Sequence, residues 1–175
     1  MKILLAAAAV VACAWPVGAH PGEQQRRIEV LAFSDDGTFA LAEETNADGP
    51  MTTTTLLVVG AGGVTERLPV SMRIAGIGKD GVDPDTCAAT ADRLSSMAKD
   101  LRGVSVRVGL CSAPGRNIID ARGRPQPTAS TAKTVLLHAR VGLVGRVFVA
   151  PTGPLVVVVG PDALGNDRIA TASQD

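Results

Sequence analysis

Apolar and polar positions along this chain fall into short β-prone blocks, and the blocks pair up across glycine-rich turns. Ile28–Ser34 and Thr38–Glu44 are joined by Asp35-Asp36-Gly37, a tight-turn sequence that predicts a hairpin. Asn46-Ala47-Asp48-Gly49-Pro50 reads as a loop. Thr53–Val59 and Val64–Met72 predict a second pair around Gly60-Ala61-Gly62-Gly63, and Pro69 marks the later strand as an edge or a bulge. Gly76 to Asp83 is a glycine-rich connection. Val104–Cys111 reads as a further strand, followed by a Pro/Gly/Arg loop, Ala113–Pro127. Thr134–Arg140 also reads as a strand. A last hairpin joins Val144–Ala150 to Leu155–Val159 through Pro151-Thr152-Gly153-Pro154.

One block has a different period. Asp83 is a natural N-cap, Pro84 suits the first helical position, and Asp85 complements the positive end of the dipole. Cys87, Ala91, Leu94, Ala98 and Leu101 recur at spacings of 4, 3, 4 and 3, which places them on one helical face. Arg102 and Gly103 would close the helix. The pattern predicts an α+β fold, mainly antiparallel sheet, with strand pairs near 28–44, 53–72, 104–111 and 134–159 and one helix near 84–102.

The first 19 residues follow another logic. Met1-Lys2 is a short basic region and Ile3–Val11 an apolar run too short to span a bilayer. Val17-Gly18-Ala19 puts small or aliphatic residues before His20. This predicts a secretory signal peptide over 1–19, cut between Ala19 and His20, and hence a periplasmic or extracellular protein. Val10-Val11-Ala12-Cys13 offers a competing lipoprotein site at Cys13, with a shorter apolar run before it. Residues 20–160 then form one small exported domain, and the polar residues 161–175 read as a flexible tail.

Composition narrows the function classes. The whole chain has 17 basic and 17 acidic side chains; losing Lys2 leaves 16 against 17, so nothing pulls on nucleic acid or an anionic membrane. Beyond the leader the longest apolar run, Leu155–Val159, is strand-length, so no transmembrane segment is expected. Trp15 leaves with the leader, Tyr is absent, and only Phe33, Phe39 and Phe148 remain. That is a poor supply of stacking platforms for sugars or single-stranded nucleic acid.

Val30–Glu44 (VLAFSDDGTFALAEE) followed by Thr55–Pro69 (TLLVVGAGGVTERLP) resembles one blade repeat of TolB-type β-propellers. It is also similar to bacterial predicted secreted proteins of unassigned function that carry such a segment. Asp35 stands where the repeat has proline, and Phe148–Val159 is a weaker echo. The resemblance implies antiparallel β structure. A closed propeller takes at least about four blades, and this chain has room for about two.

Several motifs resemble catalytic or cofactor signatures. Gly76-Ile77-Gly78-Lys79-Asp80-Gly81 matches a dinucleotide fingerprint, but Asp83-Pro84 restarts the chain and sets an acidic cap where a phosphate would sit. Leu56–Gly63 looks like the start of the same fold, with Thr65 in place of the third glycine and Pro69 barring a long helix. Ser96-Met97-Ala98-Lys99 and Ser130-Thr131-Ala132-Lys133 fit the S-x-x-K pattern of penicillin-recognising enzymes, without the Ser-Asp-Asn or Lys-Thr-Gly partners. Asp80–Asp85 lacks the ligand spacing of a calcium loop. No catalytic, cofactor or metal residue is therefore assigned.

Histidine is limited to His20 and His138. His138 reads as a strand residue sharing a face with Leu136 and Arg140. Cleavage after Ala19 would leave His20 as an N-terminal chelator able to hold copper, with His138 as a further nitrogen. The only cysteines after the leader, Cys87 and Cys111, are expected to form a disulfide: helix rise and strand return are of matching length, and the compartment is oxidising. The leading expectation is a non-catalytic, envelope-associated interaction module with an unidentified protein partner. The alternatives are a periplasmic copper-binding protein using His20 and a small hydrolase with an unrecognised site.

Overall fold

The computed structural model describes residues 24–76, 81–101, 125–128 and 132–174. The first four strands run as an antiparallel meander, β1 (Gln25–Phe33), β2 (Phe39–Asp48), β3 (Met51–Gly60) and β4 (Gly63–Ile74), in the order β1-β2-β3-β4. A second sheet contains β5 (Arg146–Val149), β6 (Leu155–Pro161) and β7 (Asp167–Ser173), again antiparallel and sequential. Among the described residues two α-helices accompany them, α1 (Pro84–Met97), which tightens into a 3-10 turn over Ala98–Asp100, and α2 (Ala132–Val141).

Burial assembles these elements into four layers. Val30, Ala42, Leu57 and Val59 of the first sheet pack against Phe148, Leu155, Val157 and Val159 of the second. The opposite face of the first sheet, with Leu41, Leu56, Val58 and Leu68, packs on Ala91, Leu94 and Met97 of α1. The opposite face of the second sheet, with Val147, Val156 and Val158, packs beneath Leu137 and Val141 of α2. The order is helix, sheet, sheet, helix. Central strands are thus covered on both faces, which is why β3 and β6 contain unbroken apolar runs, Leu56–Val59 and Leu155–Val159. Each fully buried Leu or Val contributes about 1.5–3 kcal/mol relative to exposure.

The two hairpins expected in the first sheet form where the pattern placed them, with longer strands. Residues 46–48, read as loop, extend β2, so only a tight turn at Gly49-Pro50 remains. Pro69 lies on edge strand β4 beside a bulge, where the register steps from Thr54 opposite Ser71 to Thr55 opposite Pro69. The Thr90 hydroxyl of α1 donates to the Pro69 carbonyl at 2.9 Å, satisfying an acceptor at the irregularity.

Helix α1 begins as expected and shifts its buried stripe at the far end. Thr90, Ala91, Leu94 and Met97 are buried and Ala98 is exposed, because the tighter 3-10 turn brings Leu101 inward without it. Arg102, Gly103 and the expected strand Val104–Cys111 lie outside the described residues. At the start, Asp83 accepts from the Thr86 amide at 2.9 Å and from the Thr86 hydroxyl. The Thr86 side chain first, then its backbone, hold the Asp83 carboxyl below the usual aspartate range. A depressed folded-state value contributes stability above the unfolded pKa, near 3.9, that is lost as pH falls through the folded one. The Asp83→Asn variant should therefore be less stable than the parent at neutral pH. That gap should narrow as pH falls below about 4 in urea titrations.

Two expectations are corrected. Thr134–Arg140 is part of helix α2 and not a strand, so the structure has a second helix. The run Val135-Leu136-Leu137 has β propensity, but Leu137 and Val141, one helical turn apart, reach the second sheet while Val135 and Leu136 stay exposed. Gly142, at φ 64, is the left-handed residue that ends the helix. Residues 161–175, read as a flexible tail, instead carry β7, paired along its length with β6. Its small side chains hid it: Ala170 and Ala172 pack towards α2, and Ile169 packs between the sheets.

Candidate functional site

The structure scatters most of the sequence-derived candidates. Ala19, His20, Cys111 and Ser130 lie outside the described residues. Cys87 occupies the first turn of α1, half-buried, with its Sγ 3.9 Å from the Val82 carbonyl. Ser96 is exposed and donates to the Arg93 carbonyl at 2.7 Å, and Lys99 is exposed in the following turn. Leu56–Gly63 is the end of β3 and its turn into β4, an antiparallel hairpin and not a strand-to-helix junction. His138 is on α2, where its Nε2 lies 3.1 Å from the Gly145 carbonyl and pins the helix to the chain entering β5. On a helix it no longer shares an alternating face with Leu136 and Arg140. Among the described residues no three His, Cys, Asp or Glu side chains are grouped to hold a metal.

Two hollows concentrate the remaining functional groups. The first lies at the margin between the sheets and is polar, lined in part by Arg27, Glu29, Glu43, Arg146 and Asp167. Its buried carboxylate, Asp167, accepts from the Ile28 amide at 2.9 Å and lies 3.5 Å from Nη2 of Arg146. The same Nη2 donates to the Ile28 carbonyl at 2.8 Å, and Arg26 Nε donates to the Asp167 carbonyl at 2.8 Å. These bonds clasp β1 to β7. The buried carboxylate of this hollow, Asp167, is thereby committed to holding the two sheets together.

The second hollow is an apolar groove of about 350 Å³ between α2 and the outer face of the second sheet. Leu136, Leu137 and Arg140 line it from α2, Val147 and Val149 from β5, and Val156 from β6. Leu136 is 72% exposed and Val149 36%, so apolar surface continues from the floor to the mouth. Of the described residues lining it, Arg140 is the only charged one. A guanidinium stays protonated, so it can bind an anion or orient a dipole but cannot serve as a general base. Sequence reading missed this groove, because with α2 taken as a strand its walls belong to one sheet. The left-handed stop at Gly142, with Ala132–Arg140 before it, was the available signal.

The chain matches no protein-family model, no curated protein and no solved structure. No helix among the described residues is long and apolar enough to cross a membrane.

Proposed function

We propose that this protein is an exported, non-catalytic interaction module that binds through the groove beneath α2. The observation that carries the reading is the lining of that groove: apolar walls with a guanidinium as the single charged group among the described residues. The hydroxyls among its described lining residues, Thr128, Thr134 and Ser173, have no histidine or carboxylate in that lining to activate them, which suits binding better than catalysis. The buried carboxylates point the same way, since Asp167 serves the β1–β7 clasp and Glu44 accepts from Arg67 at 2.7 Å. Export rests on the leader pattern over 1–19, and with it comes a bridge between Cys87 and Cys111.

The full chain expressed in a bacterium should yield a periplasmic or secreted form beginning His-Pro-Gly-Glu. Alkylation of that denatured, unreduced protein should find neither Cys87 nor Cys111 reactive. The processed protein should bind the neutral dye N-phenyl-1-naphthylamine at one site and turn over no ester or peptide substrate. Leu136→Asp should weaken dye binding by about tenfold or more, the worth of one buried leucine contact. Circular dichroism should be unchanged, because Leu136 is exposed in the fold. Dye binding indifferent to Leu136→Asp, or turnover by the purified protein, would overturn the reading.

A further inference from the structure

We infer that the groove takes a free long-chain monocarboxylate, its alkyl chain along Leu137, Val147 and Val156 and its carboxylate on Arg140. The inference rests on the binding role proposed above and names its ligand class. Arg140 stands in the last turn of α2 and, among the described residues, has no hydrogen-bond or ion-pair partner. It is an uncommitted cation at the edge of an apolar cavity, which is the complement of a hydrocarbon ending in an anion. A guanidinium also matches a carboxylate in shape, offering two parallel donors.

The other polar groups at the rim argue against a peptide. Gln174 donates to the carbonyls of Ala150 and Gly153, and Thr134 and Ser173 already have partners. A peptide backbone laid in this groove would bury a succession of amides, and of the described polar lining side chains besides Arg140 only the Thr128 hydroxyl has no hydrogen bond already and is free to serve them. A hydrocarbon chain makes no such demand. The volume, about 350 Å³, lies at the small end of the range for small-molecule sites and suits one chain better than two.

The helix sharpens the dependence on one residue. The C-terminal end of α2 carries partial negative charge and by itself repels an anion, so the carboxylate is held only while Arg140 offsets that field. The test uses the processed full-length protein and cis-parinaric acid, a polyene fatty acid that fluoresces on burial, beside its methyl ester. The wild type should bind the acid more tightly than the ester, and palmitate should displace it. Arg140→Gln should weaken the acid by about tenfold or more, leave the ester unchanged, and be partly rescued by Arg140→Lys. Arg140 is exposed, so these variants should keep the parent's circular dichroism.

Equal affinity for acid and ester, or acid binding indifferent to Arg140→Gln, would overturn the inference. If the neutral dye still bound and still responded to Leu136→Asp, the binding role would survive that failure. Loss of dye binding as well would remove both. Sedimentation with phosphatidylglycerol vesicles, with no displacement of the dye by palmitate, would assign Arg140 to a membrane surface and overturn the free-carboxylate inference.

Discussion

Replacing Gly153 with alanine should lower the melting temperature by about 10 °C, and Gly37→Ala should do the same. The two glycines sit in different turns that press together. Gly37, in the β1–β2 turn, has φ 65, and Gly153, in the β5–β6 turn, has φ 74. A Cβ on Gly37 would overlap the Thr152 carbonyl, and a Cβ on Gly153 would overlap the Asp36 carbonyl. Hydrogen bonds stitch the same contact: the Thr152 hydroxyl donates to the Asp35 carbonyl, and the Leu155 amide donates to the Gly37 carbonyl at 3.3 Å.

A side chain here costs about 1–2 kcal/mol for the left-handed backbone and about 1–3 kcal/mol for forcing two main chains apart. The total, about 2–5 kcal/mol, is a large share of the 5–15 kcal/mol typical of a domain. Gly49→Ala is the internal control. Its φ is 54, but a Cβ there meets nothing within 4 Å, so only the backbone term applies and the drop should be about 3 °C. Equal losses at Gly49 and Gly153, read by differential scanning calorimetry, would show that the two turns do not touch.

The parts of this fold that could be read from sequence are those whose causes are local. The β1–β2 turn is written in Ser34-Asp35-Asp36-Gly37, and Asp36 closes it by accepting from the Thr38 amide at 3.0 Å. The start of α1 is written in Asp83-Pro84, and the bulge at β4 in Pro69. Helix α2 and strand β7 escaped because their identity depends on what covers them. Val135-Leu136-Leu137 has the propensity of a strand, and only the second sheet beneath Leu137 and Val141 makes it a helix. Asp167–Ser173 has the polarity of a tail, and only pairing with β6 makes it a strand. The groove was invisible for the same reason, since it exists between one element misread and another unseen. Arg140 carries no motif; its place beside an apolar cavity is a tertiary fact.

Substituting Val157 by aspartate should abolish cooperative folding, and so should the same change at its neighbour Val158. In a sheet with one face in water, adjacent positions alternate between core and solvent, so one of the two would tolerate the charge. Here both are fully buried. Val157 packs between the sheets with Phe148 and Leu57, while Val158 packs under α2 with Leu143 and Val147. An unpaired carboxylate at either position must be desolvated or protonated, and either outcome consumes most of the stability of a small domain. Threonine gives the graded form of the experiment, because it keeps valine's shape and adds one hydroxyl. Val157→Thr and Val158→Thr should each cost about 1–3 kcal/mol in urea unfolding, with similar values at the two parities. A cost confined to one of them would mean that one face of β6 is wet, and that α2 does not cover the second sheet. Similar costs at both would establish by measurement why Leu155–Val159 is written without a polar residue: this strand has no side on which to put one.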